Sequence, residues 1–119
     1  MTKHLPNNIV TFDTYQQLAH STSLNTEIHG DKVLYPALGI ADEAGEIAGK
    51  FKKLFRDKGG EYDEMFKADI VKEMGDVLWY LAETATQLDI SLEEIATKNI
   101  DKLLSRKERN VLQGDGDNR

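Results

Sequence analysis

The sequence predicts an all-α protein, a helical bundle with two long central helices. Apolar residues recur at helical spacing over almost the whole chain, and no alternating strand pattern of useful length appears. Only 2 prolines and 9 glycines interrupt this pattern. The 119 residues fit one domain spanning 1–119, because two halves would each be too small to bury a useful core. We expect a helical core over 11–109 and a flexible tail over 110–119.

Capping and breaking residues set the bounds of the first two helices. Thr11 is a good N-cap residue for a short first helix, and a polar loop follows over residues 21–32. Pro36 suits the first turn of the second helix, where its missing N–H is not needed. This helix is predicted to run to about Phe55 and to stop before the glycine pair at 59–60.

The third and fourth helices follow a short acidic connection. The third is predicted from about Phe66 to Leu88. Ser91 and Glu94 have the spacing of a capping box, so the fourth helix should begin there and end near Arg109. The glycine-containing residues that follow have no helical pattern.

Composition excludes several classes of function. The chain has 15 basic and 21 acidic residues and a net charge of −6, which argues against binding a nucleic acid polymer or an anionic membrane surface. It has no cysteine, so a disulfide framework, a zinc–thiolate site and a thiol nucleophile are excluded. No apolar run approaches the ~20 residues of a membrane span, and the first residues lack the apolar stretch of a signal peptide. We therefore expect a cytoplasmic protein.

An acidic pattern repeats in the second and third helices at an offset of 30 residues. Glu43 and Glu46 enclose an Ala-Gly pair, and Glu73 and Asp76 enclose a Met-Gly pair. Residues three apart on a helix lie about 60° apart, so each pair shares a face, and both faces border the apolar stripe of their helix. If the two helices pack side by side, four carboxylates can converge at the seam.

Converged carboxylates repel one another and are costly to bury without partners. A divalent cation removes that conflict, and Mg²⁺ prefers oxygen ligands and often shares its shell with substrate phosphates. Either acidic pair alone is more simply interpreted as a solvated helix edge. The repetition of the whole pattern, in the same phase against the core, favours a metal site.

Four further polar residues lie near this face or on the fourth helix. Lys50 and Tyr80 each follow the last acid of a pair by four residues. Lys50 could neutralise phosphate charge or form an ion pair with Glu46, and Tyr80 could be a core-edge aromatic residue. Asn99 falls inside the apolar stripe of the fourth helix, where a buried amide needs partners, and Lys102 lies on the adjoining edge.

The signature E-x-x-E, a spacer and E-x-x-D resembles that of the MazG-like nucleoside triphosphate pyrophosphohydrolases. The flanking segments are also similar to that family, namely 35–39 before the first pair, 50–53 between the pairs, and 75–80 around the last acid. The resemblance covers roughly Phe12 to Arg109 and identifies the chain as a single module of this kind.

This resemblance implies a homodimer or homotetramer that cleaves a nucleoside triphosphate between its α- and β-phosphates. The products would be a nucleoside monophosphate and pyrophosphate, in nucleotide-pool control or house-cleaning. It implies Mg²⁺, with Mn²⁺ able to substitute, and a water proton accepted by one carboxylate of the first pair. The base would be selected by a pocket of the first helix, the polar loop and a neighbouring subunit. The implied metal ligands are Glu43, Glu46, Glu73 and Asp76, the candidate catalytic residues are Glu43 and Glu46, and the candidate substrate contacts are Lys50, Tyr80, Asn99 and Lys102.

Two other interpretations of the acidic pattern compete with this one. A di-iron carboxylate bundle needs Glu-x-x-His on two helices, and none of His4, His20 and His29 lies three residues after a glutamate. An acidic helical interaction module would bind a basic partner in a salt-sensitive way and would show no metal-dependent turnover. Such a module does not require a phased repeat with glycines.

Overall fold

The computed structural model describes residues 10–119 and contains four α-helices. They are α1 (Phe12–Ser21), α2 (Leu34–Asp57), α3 (Glu64–Gln87) and α4 (Leu92–Glu108). Within the described residues the only strand-like pairing is an isolated bridge between Ile28 and Asp31, so the all-α class is confirmed. In this same range no helix is long and apolar enough to cross a bilayer.

The first two helices begin and end close to the predicted residues. The hydroxyl of Thr11 accepts a hydrogen bond from the Thr14 N–H at 3.1 Å and caps α1. After α2 ends at Asp57, Gly59 and Gly60 have φ angles of 78° and 75°. This left-handed region costs glycine little and other residues more, so the glycine pair turns the chain back towards α3.

Side-chain caps also determine where α3 and α4 begin. The Asp63 carboxylate accepts a hydrogen bond from the backbone N–H of Phe66 at 2.8 Å, so α3 starts two residues earlier than predicted. The Ser91 hydroxyl accepts from the Glu94 N–H at 3.0 Å. The Glu94 side chain pairs with Lys98 at 3.0 Å, so the serine half of the capping box forms and the reciprocal glutamate bond does not.

Helix α3 is the centre of the described chain and contacts each of the other three helices. Helix α2 packs on α3 alone, and the two 24-residue helices are antiparallel neighbours joined by a short connection. The buried cluster consists of Ala19, Ala82 and Leu92, with Tyr15 and Trp79 packed against it. This core joins α1, the C-terminal half of α3 and α4, so α2 lies at the side of the single chain.

Much of the apolar surface is uncovered in the single chain. Phe55 is 60% exposed, Val71 68% and Met74 56%. Large apolar patches of this kind are typical of interaction surfaces.

The C-terminal residues fold back against the end of α4 in a series of turns and contain no helix, as their sequence predicts. Arg106 is only 4% exposed and donates to the Asp117 carbonyl oxygen at 2.7 Å. Lys102 pairs with the Asp117 carboxylate at 3.2 Å, and Arg119 donates to the Leu112 carbonyl at 2.8 Å. These contacts give the tail a defined path in the structure, while its flexibility stays a prediction.

Candidate functional site

Three carboxylates meet at the seam between α2 and α3. Glu43 on α2 and Glu73 and Asp76 on α3 each offer an oxygen within 4.8 Å of the other two. The two glutamates are half-buried and the aspartate is exposed. Glu73 and Asp76 share a face of α3 because they lie three residues apart, and the antiparallel packing of α2 brings Glu43 opposite them.

No basic residue within 10–119 pairs with this carboxylate group. None of the ion pairs formed by the described residues involves Glu43, Glu73 or Asp76. The pKa of Glu43 is raised by partial desolvation and then by repulsion from neighbouring acids, which are Asp76, Asp42, Glu73 and Glu46. Three clustered carboxylate oxygens suit a hard divalent cation, which would relieve this repulsion. The donor set therefore fits Mg²⁺ or Mn²⁺ in its chemistry.

Glu46, the fourth acid of the repeat, lies outside this group of three. Its side chain is exposed on α2, one turn beyond Glu43. It still contributes to the raised pKa of Glu43, so it lies close enough to repel that carboxylate. The structure thus divides the four acids into a group of three and one neighbour.

Lys50 lies one turn beyond Glu46, towards the α2–α3 connection. Its ammonium group pairs with Asp69 of α3 at 3.5 Å, so in this structure its ion pair crosses the seam and is not made with Glu46. Lys50 and Lys53 line a cavity of about 260 Å³ at this end. Three lysines and four acidic residues line this cavity, so this end of the seam carries mixed charge, with Lys50 as its cation nearest to Glu46 in the sequence.

Tyr80 lies on the other side of the carboxylates. Its ring packs against α2 so closely that a β-carbon at Gly39 would overlap it. Burial, then the neighbouring Tyr35, then the negative charges of Glu43 and Asp42 raise the pKa of Tyr80. Tyr80 therefore lies beside the acidic group, and it also lines a second cavity of about 180 Å³.

The two candidates on α4 are not brought to the carboxylates within the single chain. Asn99 is exposed, so its predicted burial is wrong for this chain. The reason is that α4 does not contact α2 and leaves much of its apolar stripe open, with Ile100 52% and Leu104 54% exposed. Lys102 is occupied by its ion pair with Asp117.

Glu83 was not identified by sequence reasoning. It is only 2% exposed, and its Oε1 lies 2.8 Å from His20 Nδ1 and accepts from Gln87 at 2.9 Å. His20, whose side chain is 42% exposed, is the partner of this buried acid. A signal was present, because Glu83 follows Asp76 by seven residues and two helical turns bring such residues to one face.

The sequence pattern of the MazG nucleotide pyrophosphohydrolase domain matches residues 34–111, a stretch that includes all three clustered carboxylates and Glu46. The "Gene 37 protein" of Mycobacterium phage L5 is 49% identical over 85 residues, which cover 71% of this chain and 75% of that protein. No solved structure matches the chain.

Proposed function

The chain belongs to the MazG nucleotide pyrophosphohydrolase family, and on this basis we propose that it hydrolyses a nucleoside or deoxynucleoside triphosphate between the α- and β-phosphates. The products are a nucleoside monophosphate and pyrophosphate, which suits nucleotide-pool control or house-cleaning. The observation that carries the proposal is the group of Glu43, Glu73 and Asp76, whose carboxylate oxygens lie within 4.8 Å of one another and form no ion pair with a basic residue of the described part of the chain.

These three carboxylates would hold Mg²⁺, or Mn²⁺ in its place. When bound, such an ion neutralises phosphate charge and lowers the pKa of water. The contribution of the chain is to hold the ligands on two packed helices, so that their positions are set by the helical backbone.

Glu46 is the better supported acceptor for the proton of the attacking water. Glu43 already belongs to the clustered carboxylates, whereas Glu46 is exposed, lies one turn away and keeps its oxygens free of any ion pair with the described basic residues. A carboxylate in this position can take a proton if it lies within hydrogen-bond reach of the water.

Two side chains on opposite sides of the carboxylates, Lys50 and Tyr80, orient the substrate. Lys50 lies on one side of the carboxylates and attracts the phosphates. Tyr80 lies on the other side and offers an aromatic surface to the nucleoside. We therefore orient the triphosphate tail towards Lys50 and the nucleoside towards Tyr80.

We further propose that the protein acts as a homodimer or homotetramer. The exposed apolar side chains of α2, α3 and α4 need a cover, and a second copy presents the same apolar surface. Asn99 and Lys102, which lie away from the carboxylates of their own chain, would contact substrate only at the site of a neighbouring copy.

The test is a panel of standard and modified nucleoside triphosphates with Mg²⁺, in which pyrophosphate and orthophosphate are assayed separately. We expect pyrophosphate and a monophosphate, and Asp76→Asn should lower kcat/KM by at least about tenfold, which needs only ~1.4 kcal/mol of lost transition-state stabilisation. Glu64→Gln is the matched control, since Glu64 is 93% exposed and pairs only with Lys67 among the described residues. If orthophosphate and a nucleoside diphosphate form instead, the proposed cleavage position is wrong. If no nucleotide is turned over with Mg²⁺ or with Mn²⁺, the alternative of an acidic helical interaction module is favoured.

A further inference from the structure

A polar cavity of about 180 Å³ lies beside the carboxylate group and has no role in the proposed chemistry so far. Its walls come from the loop over 22–26, the start of α2 and the C-terminal half of α3. Its lining includes the side chains of Asn25, Lys32, Trp79, Tyr80, Glu83 and Gln87.

One face of α3 connects this cavity to the carboxylates. At about 100° per residue, Asp76, Tyr80, Glu83 and Gln87 fall within an arc of about 60°, and Glu83 lies ~10 Å beyond Asp76 along the helix axis. A ribose and its base span a distance of this order. A nucleotide whose phosphates lie at the carboxylates therefore extends past Tyr80 into the cavity.

Glu83 is the unusual residue of the cavity wall, because a carboxylate that is only 2% exposed needs hydrogen-bond donors. Its Oε1 has two close hydrogen-bond contacts, with His20 Nδ1 at 2.8 Å and with the Gln87 amide at 2.9 Å. Among the residues that the structure describes, its Oε2 has only the longer contact to the same His20 nitrogen at 3.2 Å. Since a carboxylate offers about four acceptor positions, Oε2 keeps room for a further donor.

The aromatic wall beside Glu83 is held in place by defined contacts. The Trp79 indole N–H donates to the Thr22 hydroxyl at 2.8 Å, and its ring lies edge-on to Tyr80 with centroids 5.0 Å apart. Aromatic rings are suitable surfaces for stacking a base of any kind. Selection among bases must then come from the polar atoms at the end of the cavity.

We propose that this cavity holds the nucleobase and that Glu83 selects bases presenting an exocyclic amino group. The inference rests on the proposed function. An amino group donates to Oε2 of Glu83, whereas an oxo group in the same place points its lone pairs at a carboxylate. Cytosine should therefore be preferred to uracil, and adenine to hypoxanthine, depending on whether the cavity accepts a pyrimidine or a purine.

A larger, more open cavity of about 570 Å³ also lies near the carboxylates, between Phe12, Tyr15, Leu78 and Glu93. Phe12 is 49% exposed, Glu93 is also exposed, and none of the described polar residues that line this cavity is buried. It serves as the rival location in the test.

The experiment compares kcat/KM within two matched pairs, dCTP with dUTP and dATP with dITP. For the wild-type protein we expect the amino member of at least one pair to be preferred by at least about tenfold, because a site that binds a donor discriminates strongly against its absence. Glu83→Gln keeps the shape but supplies an N–H₂ that can donate to an oxo group, so this preference should fall at least tenfold or invert. Glu93→Gln, in the rival cavity, should leave it unchanged.

Equal turnover of both members in both pairs by the wild-type protein overturns the inference while leaving the proposed function intact. The same holds if Glu83→Gln slows all substrates alike, which indicates a structural role, or if Glu93→Gln changes the preference. Absence of any turnover by the wild-type protein refutes the proposed function instead.

A second measurement does not depend on the folding of the variant. Trp79 is the only tryptophan of the chain, so its indole N–H gives one resolved NMR signal. The wild-type protein is titrated with the amino and oxo monophosphates of each pair. A shift of this signal with the amino member alone supports the base site, whereas equal shifts or none overturn it.

Discussion

Gly39→Ala tests the close contact between α2 and Tyr80 on which the arrangement of the site depends. In an open helix interior this substitution would stabilise the protein by about 1 kcal/mol. At Gly39 the new β-carbon would overlap the Tyr80 ring, so that ring must move. Overpacking of this kind costs about 1–3 kcal/mol. We therefore expect a net loss between about 0 and 2 kcal/mol.

Gly49→Ala is the matched control in the same helix. A β-carbon there has no heavy atom within 4 Å in the single chain, so the helix-propensity gain of about 1 kcal/mol should appear in full. The two variants should differ by about 1–3 kcal/mol, which is roughly 4–12 °C in Tm for a chain of this length. Thermal unfolding without metal, followed by circular dichroism, measures this difference.

A double-mutant cycle assigns the difference to the ring. In a Tyr80→Ala background the obstacle is gone, so Gly39→Ala should regain the stabilisation seen at Gly49. Gly39→Ala should also lower kcat/KM in the presence of Tyr80, because the displaced ring borders both the carboxylates and the polar cavity. If Gly39→Ala melts at or above Gly49→Ala in the wild-type background, Tyr80 does not pack on α2 and the proposed orientation of the nucleotide fails.

Three further outcomes are expected. Without metal, Asp76→Asn should melt at the wild-type temperature or higher, because one charge leaves the carboxylate group. Mg²⁺ should raise the melting midpoint of the wild-type protein more than that of the variant. If the variant melts well below wild type and both respond equally to Mg²⁺, Asp76 is a structural acid. Light scattering at micromolar concentration and low salt should give a dimer or tetramer, and a monomer would contradict the proposed assembly. Hydrogen bonds from Lys102 and then Arg106 hold the pKa of Asp117 below its usual 3.8. The ionised Asp117 carboxylate therefore stabilises the folded protein fully above pH 3.8, and this stabilisation is lost as the pH falls through the lower pKa of the folded state. The Tm difference between wild type and Asp117→Asn should therefore shrink on acidification, and a constant difference would show that the charge is not responsible.

The sequence alone determined the helices and the spacing of the acids on each one. Thr11 and Ser91 act as caps through hydrogen bonds to residues three positions away, so their effect can be read locally. The rotation of about 100° per residue likewise places Glu73 and Asp76 on one face without any reference to the rest of the chain. The acidic repeat therefore predicted where on each helix a metal site could form.

Only the tertiary structure decided which of these residues meet. The relative position of α2 and α3 depends on packing across the seam, such as the Tyr80 ring against Gly39, and no single-helix pattern contains that information. That register groups Glu43 with Glu73 and Asp76, leaves Glu46 beside them and pairs Lys50 with Asp69. Burial depends in the same way on which faces are covered: Glu83 is enclosed because α1 and the following loop pack over α3. Asn99 stays exposed because nothing in the described chain covers its part of α4.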